Sequence, residues 1–401
     1  MAAPRLIDDA ERRVRLVARH HLMRTAPDCV TAVRGIVALH SSDPATPYLA
    51  LWARVPGFTT ALLEHALYEA RSLWRLHAMR RTLFVVPSEE APIFAAGSRA
   101  VAVAERKQLA KWLAAEMDPG DVPHWLARVE AKTRALLADG IDRRTQDVSK
   151  LVPELALELT VGSGKYTQRS PLSSRLLYLL AMEGHIARAQ PIGTWRSSQY
   201  HWLDSCAFGS ARAILEDETG RLELARRYLA THGPVTLADL RWWTGWTARQ
   251  ATAALAGLSA VAVAVAAGEG WVLPADVDAA PALVPGVALL PSLDPTAMGW
   301  TQRDWYLGPH RAPLYDRNGN IGPTVWVDGR IVGGWAQRTD GTVVTRLLED
   351  VGSEATTAIA GQALELTTWL GTTVVTTRFS TPLERELVSF ADARPFRVAS
   401  R

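Results

Sequence analysis

The chain of 401 residues is 48% hydrophobic and carries a formal net charge of +3. This composition indicates a globular protein of two or three domains and excludes a disordered chain. No apolar run reaches the roughly 18 residues that a membrane-spanning helix needs. Residues 1–13 contain acidic side chains and no apolar stretch, so we expect a cytoplasmic protein without a secretory signal. Cys29 and Cys206 are too few for a disulfide framework, a four-cysteine zinc site or an iron–sulfur cluster.

Arginine supplies most of the positive charge. The 44 basic residues include lysine only at positions 107, 111, 132, 150 and 165, which leaves 39 arginines. Arginine suits bidentate contacts with phosphates and bases. Codon usage in a GC-rich genome explains the same excess, so composition leaves both interpretations open. The chain also has 15 tryptophans, some of them beside arginine in hairpin-like segments, where aromatic rings can stack on bases.

The first predicted unit comprises three helices and a β-hairpin. Helical periodicity runs through residues 11–24 and 29–40, and a third helix over 60–69 begins at Thr59 or Thr60 as its cap. Extended runs at 73–77 and 82–86 flank a turn at 78–81. Helices followed by an antiparallel hairpin are the outline of a winged helix.

A second unit repeats this order. Helices over 134–138 and 145–152 precede a helix that Ser170 caps, that has Pro171 at its first position and that stops at Gly184. Strands over 185–190 and 195–202, joined by a turn at 191–194, form its predicted hairpin.

The third unit has predicted helices at 222–231, 236–243 and 247–258. Its hairpin is predicted from strands 260–266 and 271–273 around a turn at 268–270. The three copies share pattern and not sequence identity, so a series of ordinary helix–hairpin units remains the alternative.

After Pro274 the chain becomes rich in proline and in strand signals. Strands at 324–327, 330–335 and 343–348 lie between Asn-Gly and Asp-Gly turns, and a helix is predicted over 354–370. The predicted fold class is mainly α with β-hairpin wings (α+β). It has three tandem winged-helix units, at 1–125, 126–208 and 209–274, and a C-terminal, β-rich α+β cap at 275–401.

Several segments together resemble one family. Residues 39–44, LHSSDP, resemble the LQAQDP segment of the AlkZ/YcaQ-like DNA glycosylases, winged-helix proteins that excise bulky or crosslinking alkyl adducts. Residues 76–83 resemble the MRGTLH wing of that family, and 192–200 resemble its second hairpin. Residues 316–324, 327–330 and 333–335 resemble its C-terminal, barrel-like cap. Because these segments occur in the family's order, the resemblance extends over nearly the whole chain.

The resemblance implies a C-shaped scaffold whose concave face holds DNA, with neither metal nor organic cofactor. The family's catalytic pair is Gln-Φ-Gln or Gln-Φ-Asp, and its two positions fall on His40 and Ser42 in this sequence. Asp43 is retained. Arg81 and Phe84 stand where the wing motif usually has glycine and histidine. The sequence therefore departs from the family at both catalytic positions.

His40 and Ser42 nevertheless suit the chemistry. An N7-alkylated guanine is already cationic, so the enzyme need only position a water and stabilise charge. A neutral His40 can accept the proton of that water, and the Ser42 hydroxyl can hold the same water. The alternatives are a structural histidine at a helix terminus or a degenerate site for His40, and a cap or turn residue for Ser42. Asp43 either orients His40 or caps the following turn.

DNA-binding residues are predicted on the two hairpins. Arg80 and Arg81 either contact phosphates or the adduct, or form a solvated surface. On the second hairpin, the residues predicted to contact DNA are Trp195, Arg196, Ser198 and Gln199. The alternative for Trp195 is a position in the hydrophobic core. Separately, we expect at least two of the three tryptophans at 242, 243 and 246 to be core residues.

Two functions remain open at the level of sequence. The first is a monofunctional DNA glycosylase that releases bulky N7-alkylpurines from double-stranded DNA, in repair or in self-resistance to a genotoxic natural product. The second is a non-catalytic winged-helix DNA-binding protein, either a regulator or a damage-binding shield. Regulators of this size usually dimerise on palindromic sites, whereas no heptad seam or exposed aliphatic stripe is present here, so we expect a monomer.

Overall fold

A computed structural model describes residues 4–162, 164–212, 215–278 and 282–389. The fold mixes helices with short antiparallel sheets. No helix in these ranges combines the length and apolar character needed to cross a bilayer.

The first helix–hairpin unit contains a three-stranded sheet in the order β1-β3-β2. Its elements are α1 (Asp9–Arg19), α2 (Cys29–Gly35), β1 (Leu39–His40), α3 (Thr46–Trp52), α4 (Thr60–Glu64), β2 (Leu73–His77) and β3 (Leu83–Pro87), with a π-helical turn at His65–Glu69. The side chains of Asp8 and Asp28 cap α1 and α2 by accepting the amide N–H three residues later, at 2.8 Å in each case.

Two sequence predictions in this unit are wrong. The second helix ends at Gly35 instead of reaching residue 40, because Val37 adopts a left-handed backbone with φ 65° and β1 then pairs with β3. The first helix ends at Arg19, and His21 and Arg24 likewise have positive φ. The short helix α3 was not predicted. His40 is therefore a strand residue and not the end of a helix.

A long helix, α5 (Ala91–Leu113), leads out of the first unit and was not predicted. It packs closely on α9 (Asp217–His232) of the third unit. A Cβ added at Gly220 would lie 2.3 Å from the Ala96 Cβ, so the crossing needs a glycine there. The Trp246 indole also donates to the Gly97 carbonyl at 2.8 Å.

The second unit has a sheet in the order β4-β8-β7. Its elements are α6 (Val122–Leu137), β4 (Arg143–Arg144), α7 (Thr145–Leu151), β5 (Glu158–Val161), β6 (Gln168–Pro171), α8 (Leu172–Met182), β7 (Ile186–Pro191) and β8 (Tyr200–Asp204). Ser170 lies in β6 and does not cap α8, which begins at Leu172 after Pro171. The predicted return strand begins only at Tyr200, so Trp195 and Gln199 lie in a loop.

The third unit consists of α9, α10 (Leu237–Thr244), α11 (Ala248–Gly257) and the hairpin β9 (Val261–Val265) and β10 (Gly268–Val272). Capping boxes begin α10 at Thr236 and α11 at Thr247. The glycines at 268 and 270 belong to β10 and not to the predicted turn. Trp243 and Trp246 are each 8% exposed, which confirms the expectation that at least two tryptophans of this segment are core residues.

The C-terminal region contains a four-stranded antiparallel sheet in the order β11-β12-β13-β14. Its elements are β11 (Val287–Leu290), α12 (Pro295–Met298), α13 (Asp304–Leu307), α14 (Arg311–Leu314), β12 (Thr324–Val327), β13 (Arg330–Gln337), β14 (Val343–Leu347), α15 (Gly352–Leu370) and α16 (Pro382–Ser389). The predicted strands and closing helix therefore lie within one or two residues of those observed.

A buried ion pair ties the first unit to the C-terminal region. Arg54 and Asp294 are fully buried and make two hydrogen bonds, of 2.9 and 2.7 Å. The remaining Arg54 donors bind the carbonyls of His20 and Ala50 and the Thr296 hydroxyl. Because the guanidinium is fully hydrogen-bonded, its burial is compensated. One continuous hydrophobic core contains residues of the first unit, the third unit and the C-terminal region.

Candidate active site

His40 lies at the end of β1, where the chain leaves the sheet. It pairs with Phe84 of β3, and its ring contacts the Phe84 ring edge-on at 5.9 Å between centroids. The Ser41 amide extends this pairing by donating to the Leu83 carbonyl at 2.8 Å. Ser42 and Asp43 then form the turn that leads into α3. The LHSSDP segment is thus a strand end followed by a tight turn.

The His40 imidazole is neutral at physiological pH. Burial lowers its pKa to about 4, and the positive charge of Arg80 acts in the same direction. The Ser42 amide N–H donates to His40 Nδ1 over 3.4 Å, so the neutral ring carries its proton on Nε2. Nε2 makes no hydrogen bond in the described part of the chain, and it is not enclosed.

The Ser42 side chain is half-buried, and its hydroxyl is also open. No hydrogen bond from the hydroxyl occurs within the described residues, and its oxygen is not enclosed. The Ser42 carbonyl accepts a hydrogen bond from Arg378 Nη1 at 3.2 Å. His40 Nε2 and Ser42 Oγ are therefore the two polar atoms of this segment that are free to bind a water or a substrate.

Asp43 fastens the turn to the C-terminal region. It is 3% exposed, and its two oxygens accept the backbone N–H groups of Ala45 at 3.1 Å and Arg378 at 3.0 Å. Burial raises its pKa, and these two hydrogen bonds oppose the rise. Sequence reasoning missed Arg378, because it is more than 330 positions away and no local motif marks it.

The first hairpin brings Arg80 near His40. Arg80 and Arg81 have positive φ, 55° and 65°, at the hairpin tip. The Arg80 guanidinium lies 4.4 Å from the Trp242 ring centroid and donates to the Trp242 carbonyl at 3.3 Å. Arg81 instead pairs with Glu105 of α5 at 2.7 Å. The two neighbouring arginines therefore have different surroundings.

The loop of the second hairpin packs against α3 and the C-terminal region. The Trp195 ring lies 4.8 Å from Tyr48 and 6.3 Å from Trp369, between ring centroids, and is half-buried. Arg196 donates to the Val374 carbonyl. Ser198 and Gln199 are exposed. The Trp195 ring is thus engaged with protein, whereas the polar residues that follow face solvent.

A cavity of about 460 Å³ lies beside the turn. It is lined by Asp43, Pro44, Ala45, Arg196, Ser198, Val375, Thr376 and Arg378. The structure thus brings together three of the residues predicted from the sequence, Asp43, Arg196 and Ser198, with Arg378. The others predicted for the site, His40, Ser42, Arg80, Arg81, Trp195 and Gln199, do not line this cavity.

A buried arginine supports the segment from behind. Arg75 is 3% exposed and donates to Ser41 Oγ at 3.0 Å and to the Tyr68 hydroxyl at 2.8 Å. Its guanidinium also lies 4.7 Å from the Tyr200 ring centroid. The sequence indicated none of these partners, which lie on three different elements. The Ser41 side chain between His40 and Ser42 is therefore held in one position.

Within the described ranges, no group of three or more histidine, cysteine, aspartate or glutamate residues has the geometry to hold a metal ion. Of the two cysteines, Cys29 is buried and Cys206 is exposed.

Comparison with known proteins places this site in context. The model of the "DNA glycosylase AlkZ-like" family matches residues 33–369. Among solved structures, the Streptomyces sahachiroi DNA glycosylase AlkZ is similar in fold, with a TM-score of 0.70 and 20% sequence identity over 92% of this chain and 97% of that one. No curated protein matches. Since the family model covers most of the sequence, including the LHSSDP turn, the chain belongs to the AlkZ-like family of DNA glycosylases.

Proposed function

We propose that the protein is a monofunctional DNA glycosylase that hydrolyses the N-glycosidic bond of bulky N7-alkylpurines in double-stranded DNA. The observation that carries the proposal is the pair of open polar atoms, His40 Nε2 and Ser42 Oγ, at the two positions that the LHSSDP resemblance assigns to the family's catalytic pair. A neutral imidazole does not repel the cationic sugar that forms as the base departs.

The reaction needs one proton acceptor and no general acid. The bond between C1′ and the purine nitrogen breaks, and its electron pair neutralises the cationic N7-alkylpurine. A water held by the Ser42 hydroxyl attacks C1′ and gives its proton to His40 Nε2. For this transfer the ring's own proton must first move to Nδ1, and the ring then gives up the hydrogen bond that Nδ1 accepts from the Ser42 amide at 3.4 Å.

A weak base suffices for this step. Water bonded to an oxocarbenium-like carbon is strongly acidic, so a histidine with a pKa of about 4 can accept its proton. The proton then passes to solvent and restores the neutral ring. Burial of the ring, with the charge of Arg80 acting in the same direction, keeps His40 neutral before the reaction begins.

For DNA binding we interpret the three helix–hairpin units as tandem winged helices, at 1–125, 126–208 and 209–274, with residues 275–401 as a C-terminal cap. Arg80, Arg196 and Arg378 are exposed, and each has a guanidinium without a carboxylate partner within the described residues. Ser198 and Gln199 add exposed polar groups. Arg81 contributes less, because Glu105 neutralises it. We further propose that the protein acts as a monomer, in repair or in self-resistance to a DNA-alkylating natural product.

The test is base release from duplexes that carry N7-methylguanine or a bulky N7-alkylguanine. Alkali-labile strand breaks are counted for wild type, His40→Ala and the control His124→Ala, which removes an exposed imidazole on α6. We expect His40→Ala to lower the single-turnover rate by about tenfold or more, with unchanged DNA affinity and an unaffected control. Equal rates for wild type and His40→Ala would refute the assigned role.

The side chains at positions 40 and 42 are also expected to affect which adduct the protein prefers. We propose that His40 and Ser42 give an adduct preference different from that of members with Gln-Φ-Gln. The double variant His40→Gln with Ser42→Gln is therefore expected to alter the relative rates across several adducts. Equal excision of every adduct by both proteins would eliminate this part of the proposal.

A non-catalytic DNA-binding role is the second candidate, and the observation that favours it is the absence of glutamine from both positions of the pair. Such a protein would bind adducted duplex without releasing any base, and His40→Ala would leave its affinity unchanged. A dimer by light scattering would support a regulator, whereas a monomer that prefers adducted duplex would support a damage-binding shield.

A further inference from the structure

A second polar cavity, of about 340 Å³, lies between the first and second units. Tyr68 and Arg71 line it from the first unit, and Arg188 and Gln190 line it from β7 of the second. Asp142 also lines it. No residue of this cavity lines the cavity beside Asp43, so the two are separate features of the protein.

Two guanidiniums in this cavity lack a counter-charge. Arg188 Nη1 donates to His77 Nδ1 at 3.3 Å, and Arg71 Nη1 donates to the Ala207 carbonyl at 3.2 Å. Neither arginine has a carboxylate within ion-pair distance in the described part of the chain. The acidic residue of the lining, Asp142, is about half exposed, and its carboxylate lies 3.9 Å from His201 Nδ1.

The excess of positive charge over negative charge extends beyond the residues that line the cavity. The Tyr200 ring lies between two cations, 4.7 Å from the Arg75 guanidinium and 5.9 Å from that of Arg188. Arg75 also has no carboxylate partner among the described residues. Burial lowers the pKa of Arg188 to about 10, and the Arg75 charge acts in the same direction, partly offset by Tyr200. A cation held this way is costly to the folded protein unless an anion binds beside it.

The groups present are those that recognise a phosphate. Arginine binds phosphate oxygens with a planar fork of N–H donors. The Tyr68 oxygen already accepts a hydrogen bond from Arg75, so its own O–H is free to donate. The volume lies within the range of small-ligand sites. Two guanidiniums and a hydroxyl therefore line one space, in which Asp142 is the one carboxylate among the lining residues.

We propose that this cavity, defined by Tyr68, Arg71 and Arg188, binds a phosphate group of the DNA backbone. The identity of the bound molecule rests on the proposed glycosylase function, whereas the phosphate chemistry rests on the cavity itself. The site connects directly to the catalytic turn, because Arg75 joins the Tyr68 hydroxyl to Ser41 Oγ and Ser41 neighbours His40. A bound phosphate that orders Tyr68 thereby also fixes the strand that presents His40.

The first arm of the test measures the salt dependence of DNA affinity. Fluorescence anisotropy across a KCl series compares wild type, Arg188→Gln and Arg71→Gln with Arg128→Gln, which removes an exposed arginine of α6 outside the cavity. Each lost phosphate contact is expected to reduce the slope of log K against log salt by about 0.9. We expect that reduction for both cavity variants and no change for the control. Identical slopes for all four proteins would remove the DNA phosphate as the occupant.

The second arm uses inorganic phosphate and pyrophosphate in the absence of DNA. If the cavity serves a free phosphate instead, these anions raise the unfolding midpoint of wild type and not of Arg188→Gln, while the DNA slopes stay equal. That outcome overturns the DNA assignment. Failure in both arms overturns the phosphate site as a whole.

A third variant, Arg188→Met, tests whether Arg188 serves only to stabilise the fold. Arg188 is half-buried, and its guanidinium contacts His77 and the Trp202 ring but has no carboxylate partner among the described residues. Replacing such a cation by an apolar side chain of similar length leaves stability unchanged or raises it. We therefore expect Arg188→Met to unfold at the same or a higher temperature than wild type without ligand, and a clear decrease would overturn the proposal. Base release reports separately on the proposed function: its absence with altered salt slopes would refute the glycosylase and leave the phosphate site intact.

Discussion

The burial of His40, together with the charge of Arg80 beside it, should set the acid limit of the proposed catalysis. His40 must be neutral to accept a proton, and its pKa of about 4 lies some 2.5 units below the ordinary 6.5. This difference corresponds to about 3 kcal/mol against the protonated form. At pH 5 the ring is then about 90% neutral, compared with about 3% for an unperturbed histidine. The single-turnover rate should therefore stay level from pH 8 to pH 5 and halve near pH 4.

Removing the Arg80 charge tests the cause of this shift. Arg80→Ala abolishes the repulsion that disfavours imidazolium and opens the site to water, so the pKa of His40 rises and activity is lost at a higher pH. Arg80→Lys retains the charge and serves as the matched control. Rates are measured on an N7-methylguanine duplex, with spontaneous depurination subtracted and folding checked at each pH. A midpoint near pH 6.5 in wild type, or identical profiles for the alanine and lysine variants, would refute the reasoning.

Three further outcomes are expected. Arg54→Ala leaves the Asp294 carboxylate buried and unpaired, so urea denaturation should show a loss of about 3–5 kcal/mol, and a loss below about 1 kcal/mol would contradict the assigned packing. Arg378→Gln retains the backbone bond to the turn, so DNA affinity measured by anisotropy should fall about threefold or more while the urea midpoint stays constant. His232 has a pKa of about 3 in the folded protein, so its contribution to stability is lost at about 1.4 kcal/mol per pH unit below pH 6.5. The variant His232→Phe should remove that slope between pH 6.5 and pH 5, and equal slopes in urea titrations would contradict this.

The elements that sequence analysis located correctly are those with local chemical signals. Thr236 and Thr247 begin helices through capping boxes, and Asp-Gly turns separate β12, β13 and β14. These signals depend on residues within three or four positions of one another, so a single sequence contains them in full.

The errors occurred where distant contacts decide the structure. Residues 36–40 have the composition of a helix end, yet pairing of Leu39 with Val85 makes them a strand. The length of α5 is likewise set by its packing on α9, whose Gly220 permits the close crossing. For the candidate site, the family resemblance identified His40 and Ser42, but none of the segments that carry the resemblance contains Arg378. That contact exists only because the C-terminal region folds back onto the turn.

The distribution of partners within LHSSDP shows which of its side chains shape the turn and which remain open at the two proposed catalytic positions. Leu39 is buried in the core, and Asp43 binds two backbone N–H groups with both carboxylate oxygens. These retained residues determine the course of the backbone. His40 and Ser42, at the positions that the resemblance assigns to the catalytic pair, present Nε2 and Oγ with no protein partner in the described ranges. Substitution at these two positions therefore changes the groups offered to water and substrate, and leaves the hydrogen bonds that shape the turn intact.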